Sequence, residues 1–301
     1  MKPVWSNFPL MVAAGLVAGL VTGGLPDPYS TPVLEVVLIV SMTFALTEIS
    51  FRGISAKAET HGVAISFAMN YVALGSLTLA CGLLSPDPEI RNGWVLVAAV
   101  PPAIGVVPLT SYLRGDVRRS LISNAILYLL GLITVPALTL LFLGQSVPAS
   151  NLVLQTVLLI GLPLGLSRPL RSWNRIHDFR PTGVSVAFFF SVLIIAGSTR
   201  GALLSHLDLI PTLSILAFLR TYGLGLAVFG ATMVLAVPRN SRIALMTFAG
   251  FKNTALAVVL AIAFFGPLSS LPATVSLVFE VLWMSTLPLL FRASSTSARA
   301  R

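Results

Sequence analysis

The segment Ala244-Leu-Met-Thr247-Phe-Ala-Gly250-Phe-Lys252-Asn253-Thr254-Ala-Leu-Ala-Val-Val-Leu-Ala-Ile-Ala-Phe-Phe265 is apolar almost throughout, yet it carries a lysine near its middle. A run of this length and apolarity matches the roughly 20 residues that a helix needs to cross a hydrocarbon core of about 30 Å. An ammonium at mid-bilayer costs about 2.5–3.5 kcal/mol on insertion scales, so such a group faces a cavity or a partner rather than lipid. Snorkelling to the interface is the bland alternative, but Lys252 lies too deep for it at about 1.5 Å of rise per residue. Asn253 and Thr254 add polarity beside it, and Gly250 permits a local break.

A second stretch is unusual in another way: Gly93-Trp-Val-Leu-Val-Ala-Ala-Val-Pro101-Pro102-Ala-Ile-Gly105-Val-Val-Pro108-Leu-Thr110-Ser111. Its prolines remove backbone donors and clash with the preceding turn, which predicts an interrupted helix. Unpaired backbone groups cannot face lipid, so the break belongs against protein or beside a polar cavity. A simple proline kink is the competing reading.

The rest of the chain fits this setting. Of 301 residues, 56% are hydrophobic and only 10% charged, far from the roughly one-quarter charged content of a soluble domain. Apolar runs predict about ten transmembrane helices, near residues 8–25, 32–50, 62–84, 92–113, 117–143, 151–169, 182–199, 212–237, 240–265 and 271–291. The first run is too long for a signal-peptide core and is read as a retained helix. With these spans, one set of loops holds Lys2, Arg52, Lys57, Arg114, Arg118, Arg119, Arg168, Arg171, Arg175, Arg180, Arg239, Arg242, Arg292, Arg299 and Arg301. The opposite set holds only Arg91 and Arg200, with Asp27, Asp87, Glu89 and Asp208 on that side. By the positive-inside rule both termini are cytoplasmic in a multi-pass protein of the cell membrane. The net charge of +9 is scattered over short loops and calls for no nucleic-acid partner.

An internal repeat is visible when the chain is slid so that Ile65-Ser-Phe-Ala-Met-Asn-Tyr-Val-Ala-Leu-Gly75 meets Ile215-Leu-Ala-Phe-Leu-Arg-Thr-Tyr-Gly-Leu-Gly225, which sets Asn70 on Arg220. Two five-helix repeats, residues 1–145 and 146–301 of a single membrane domain, would enter the bilayer from opposite sides, the inverted plan of many secondary transporters. Helices four and nine then correspond. Glu35, Arg220 and Glu280 are further ionisable groups inside spans, and an Arg220–Glu280 salt bridge competes with a role for Arg220 at a central site. His61, His177 and His206 lack metal-ligand spacing, and the single Cys81 allows neither an intramolecular disulfide nor a cysteine cluster. No catalytic constellation stands out, so an enzyme is disfavoured.

Three stretches, Met42-Thr-Phe-Ala-Leu-Thr-Glu-Ile-Ser-Phe51, residues 101–121 with Tyr112-Leu-Arg-Gly-Asp-Val, and Gly250-Phe-Lys-Asn-Thr-Ala-Leu-Ala257, resemble the bile acid:sodium symporter family within the wider bile/arsenite/riboflavin transporter superfamily. The resemblance implies a panel and a core sub-domain, with discontinuous helices four and nine crossing near the substrate site. It also exposes departures. Where sodium-using members have a Ser-Asn pair this chain has Val106 and Val107, and their Glu and Gln of helix nine become Phe248 and Lys252. The helix-three glutamine appears as Asn70, and the helix-five hydroxyl ligands as Ser120 and Asn124. Valine and phenylalanine offer a hard cation no side-chain oxygen. The cysteine of arsenite exporters is replaced by Val100.

The expectation is a secondary transporter that moves a small organic anion by alternating access, with sodium or a proton left open as coupling ion and no other cofactor. Its partners are the bilayer and the anion; its oligomeric state is not legible. The site residues are Asn70, Pro102, Gly105, Pro108, Thr110, Ser120, Asn124, Arg220, Gly250, Lys252, Asn253 and Thr254. An ion or proton channel, or a non-transporting sensor, is the alternative.

Overall fold

A computed structural model describes residues 8–26, 29–47, 56–144, 148–173 and 175–297. Lys2, Asp27, Arg52, Arg299, Arg301 and residues 48–51 of the first family-like stretch lie outside it, as do the side chains of Lys57, His177 and Arg292. Among the described residues the chain is helical without a strand. Its helices are α1 (Phe8–Thr22), α2 (Ser30–Leu46), α3 (Ala56–Phe67), α4 (Gly75–Leu83), α5 (Pro88–Ala99), α6 (Val106–Tyr112), α7 (Val117–Leu143) and α8 (Ala149–Thr156). They continue as α9 (Leu162–Arg171), α10 (Ile176–Ser205), α11 (Ile210–Phe218), α12 (Leu224–Val234), α13 (Arg239–Gly250), α14 (Thr254–Phe265) and α15 (Leu271–Ser297).

Three of the breaks in this series are only changes of pitch. Short π-helical turns at Ala68–Leu74, Val157–Gly161 and Leu219–Gly223 join α3 to α4, α8 to α9 and α11 to α12. With those joints counted as continuous, six helices are long and apolar enough to cross a membrane: Glu59–Leu83, Val117–Leu143, Ala149–Arg171, Asp178–Ser205, Ile210–Val234 and Leu268–Phe291. Leu10–Thr22, Ser30–Leu46 and Thr254–Phe265 are apolar but shorter. Large apolar side chains such as Val21, Leu83, Ile133, Leu141 and Val234 point outward, a surface that water would not tolerate but acyl chains match. The chain therefore has the make-up of an all-helical, multi-pass membrane protein.

Two helices are broken outright. Asp87 caps α5 by accepting from the main-chain N–H groups of Glu89 and Ile90, at 2.7 and 3.2 Å, and Pro88 occupies the first turn where its missing donor is harmless. The helix stops at Ala99 because Pro101 forces Val100 into the extended region (φ −66°, ψ 153°), and α6 starts again only at Val106. In the second break α13 ends at Gly250, Phe251 is extended (φ −130°, ψ 126°), and α14 begins at Thr254 with Asn253 as its cap. Gly250 itself remains helical. Its lack of a side chain serves contact, since a Cβ there would lie 2.7 Å from Nε1 of Trp283.

Both breaks are buried in the middle of the molecule. A large apolar core from α2, α5, α7, α10, α14 and α15 surrounds one side of them, and a second cluster around Phe248, Phe251, Trp283 and Phe291 covers the other. The pair α1 and α10 packs main chain to main chain, since side chains at Gly15 and Gly19 would strike the carbonyls of Phe189 and Leu193.

Candidate functional site

The centre of the molecule is where the two breaks touch. Pro102 and Lys252 form an antiparallel bridge, and the Asn253 N–H donates to the Pro101 carbonyl at 2.8 Å. Pro102 has no N–H to give, so the donors come from the second segment. Each break frees main-chain groups that a continuous helix would have paired, and the partners of those groups define the site.

In α5 the carbonyl of Ala98 would have accepted from residue 102, which is proline. The Lys252 ammonium takes that place, with Nζ donating to Ala98 O at 2.8 Å and Val100 O at 3.0 Å. The same nitrogen lies 4.2 Å from the centroid of the Tyr71 ring, a cation–π contact. In α13 the Phe248 carbonyl would have accepted from the Lys252 N–H, but that N–H donates to Glu280 Oε1 at 3.2 Å. The Asn70 amide replaces it, Nδ2 donating to Phe248 O at 2.9 Å and to Phe251 O at 3.0 Å. Each severed helix end is thus closed by one side chain from elsewhere in the fold.

Glu280 ties the cluster to the eighth predicted span. Its Oε1 also accepts from Arg220 Nη2 at 2.7 Å, while Arg220 Nε donates to Thr78 Oγ1 at 3.1 Å and Nη1 to Thr221 Oγ1 at 3.4 Å. Arg220 is therefore paired with Glu280, the reading that competed with a direct role at a central site. Arg220 and Lys252 are wholly buried and Glu280 nearly so, giving the central cluster two basic side chains and one carboxylate. Asn70 and Arg220, matched by the sequence repeat, both sit in π-helical turns.

The remaining predicted residues divide into two groups. Gly105, Lys252, Asn253 and Thr254 line a cavity of about 40 Å³, together with Glu280, which was not among the predicted site residues, and with Val12, Phe188 and Val192 of α1 and α10. Asn253 is fixed there: Oδ1 accepts from Leu256 N at 3.1 Å and Nδ2 donates to Tyr128 Oη at 3.0 Å. Gly250 and Pro102 belong to the breaks. Thr110 bonds within α6, to Val106 O at 2.8 Å, and reaches Thr247 Oγ1 at 3.3 Å. Pro108 lies in α6 outside the cavity wall. Ser120 and Asn124 are buried on α7, and Ser120 Oγ and Asn124 Oδ1 have no hydrogen-bond partner among the described residues. They are not drawn into the hydrogen-bonded cluster around Lys252.

Sequence reasoning missed Tyr71 and Tyr128, whose aromatic bodies read as core and whose partners lie far along the chain. Glu280 was noticed only as a counter-ion, although an acid inside an apolar span is itself a signal. No family model matches the chain, and no curated protein matches it significantly.

Proposed function

We propose that the protein is a secondary transporter for a small organic anion, of the bile acid:sodium symporter type that its sequence resembles. The observation that carries this reading is the meeting of two interrupted helices at a buried polar cluster beside a cavity. Interrupted helices at mid-membrane are how many carriers expose backbone groups to a solute while keeping them from lipid. On this reading α1, α2, the two broken helices α5/α6 and α13/α14, and the six long helices make ten crossings. The matched positions of Asn70 and Arg220, and of Pro102 and Lys252, support two inverted repeats. The helices α1, α2, α8/α9 and α10 form a panel, and the others a core that rocks against it. Both termini are cytoplasmic in the cell membrane by the basic-loop asymmetry.

An anion is favoured because the cluster carries one more positive than negative charge and because the first turn of α14, at Asn253, Thr254 and Ala255, borders the cavity. The Lys252 ammonium supplies field rather than contact, since carbonyls and a ring already occupy it. A cavity of some 40 Å³ holds a few waters and no organic solute, so on this reading the panel and core separate to admit one. That need is itself an argument for a moving carrier over a fixed channel.

The test is a thermal-shift screen of purified protein against mono- and dicarboxylates, followed by counterflow in proteoliposomes with any stabilising compound. A ligand that prefers the folded state raises apparent stability. Saturable exchange and counterflow are expected. Conductance without saturation would replace the carrier with a channel.

A further inference from the structure

We propose that the Ala98 and Val100 carbonyls and the Tyr71 ring constitute a binding site for a monovalent cation, and that the Lys252 ammonium is its resident ion. The ligands are what such an ion uses. Two main-chain oxygens meet Nζ at 2.8 and 3.0 Å, and an aromatic face closes a third side at 4.2 Å from the ring centroid. No salt bridge to Nζ is found among the described residues: Glu280 Oε1 is bound by Arg220 and by the main-chain N–H of Lys252. A divalent ion would call for carboxylate ligands, whereas neutral carbonyls and a π face suit a singly charged ion.

The site exists because of the proline. Pro102 leaves the Ala98 carbonyl without its helical donor at the negative end of the α5 dipole, where a cation is favoured. Lysine delivers that cation on a tether from the opposite break, and the Lys252 side chain is wholly buried. The tether makes the local concentration of cation independent of the solution. The inference rests on the carrier reading only for its consequence, that transport needs no dissolved cation at this point.

Removing the tether should convert the place into a site for a free ion. The experiment measures thermal unfolding of the detergent-purified full chain with Lys252→Ala, titrated with methylammonium, ammonium, potassium or sodium chloride against choline chloride. Choline is too bulky for the place and controls for ionic strength. For Lys252→Ala a saturable rise in Tm of a few degrees is expected with at least one small cation, and none for the wild type or for Lys252→Met, which fills the space without charge. Lys252→Ser is run in parallel as a second short side chain, and Lys252→Ala and Lys252→Ser, the two emptied variants, are also prepared with methylammonium present throughout, in case they fold only when the site is filled. Recovery of folded variant only with a small cation supports the proposal. A flat response in both variants, an equal response to choline, or failure to recover either even with methylammonium overturns it. No transported substrate is needed, so a cation effect without any counterflow would remove the carrier and leave the site standing.

Discussion

Pro102 and Lys252 pair with each other across the centre of the molecule, and they stand at the same offset along the chain as Asn70 and Arg220. Residues related by a two-fold axis meet their own counterparts only where that axis passes, so the bridge sits where the pseudo-axis of an inverted repeat would run. The two halves are nevertheless unequal there. Asn70 closes the end of α13, whereas Arg220, its counterpart, turns to Glu280 and leaves the end of α5 to Lys252. The asymmetry gives Glu280 the Arg220 guanidinium and leaves the Lys252 ammonium to main-chain carbonyls.

A first prediction follows from that charge balance. Glu280→Ala leaves Arg220 buried without its counter-ion and the Lys252 N–H without its acceptor, so it should destabilise by about 3–5 kcal/mol. Replacing both members of the pair, Arg220→Leu with Glu280→Leu, should cost less than Glu280→Ala alone, because no unpaired charge remains. Thermal or denaturant unfolding in detergent decides this, and a double variant worse than the sum of the singles would mean that the pair is not the source of the loss.

The Asn70 amide is predicted to matter through two carbonyls. Asn70→Ala frees Phe248 O and Phe251 O in a buried place, and an unsatisfied buried acceptor costs about 1–3 kcal/mol. Asn70→Asp should be at least as harmful, since a carboxylate offers acceptors where donors are required. Equal stability of Asn70→Asp and the wild type would mean that the amide donors are dispensable.

Gly250→Ala tests why a glycine stands before the second break. A need for flexibility would make alanine costly through the backbone alone, but Gly250 is helical and the added Cβ would meet Trp283 Nε1 at 2.7 Å. Alanine should therefore destabilise by about 1–3 kcal/mol through overpacking, and a smaller residue at position 283 should restore part of the loss. Absence of any rescue by Trp283→Leu would point back to the backbone.

The sequence made some of this legible and hid the rest for physical reasons. The interruption at residues 100–105 follows from local chemistry, because prolines act on their own backbone and the residue before them, and the structure breaks there. The buried state of Lys252 follows from its depth in an apolar run. Where the ammonium goes does not: Ala98 and Val100 are reached only through tertiary folding, and a carbonyl has no side-chain signature. The π-helical turns holding Asn70 and Arg220 were likewise invisible, since no residue type specifies that pitch. The second break was expected between Gly250 and Thr254, and it falls inside that stretch, at Phe251–Asn253, where Asn253 caps the new helix; the glycine itself stays helical. The span boundaries drifted for a similar reason: the run at 212–237 ends as a helix at Val234, because hydropathy reports apolarity and not where hydrogen bonding stops.

Topology offers an independent check on the proposed ten crossings. On the ten-crossing reading Asp87 and Asp208 lie on one side and Arg118 and Arg239, in the first turns of α7 and α13, on the other, so reporters fused after Asp87 and Asp208 should respond on the outer side and those after Arg118 and Arg239 on the inner side. Reporters after Asp87 and Arg118 on the same side would mean that α5 and α6 turn back at their break instead of crossing.

The last prediction concerns coupling. If the carrier reading holds, uptake into proteoliposomes should be the same with sodium or choline outside. The reason is electrostatic. A sodium ion brought within about 4 Å of an ammonium meets roughly 4 kcal/mol of repulsion at an effective dielectric of 20, close to a thousandfold in affinity. The side chains that would offset this are missing, since Val106, Val107 and Phe248 carry no oxygen for a hard cation. Lys252→Gln removes the repulsion together with the resident charge. It should slow transport in choline at least tenfold, and Lys252→Ala, which vacates the carbonyls, should recover in part when ammonium or methylammonium is added. A steep sodium requirement in the wild type would sink the argument at its first step. Full transport by Lys252→Gln in choline would sink it at its second, because the charge would then have no part in the cycle.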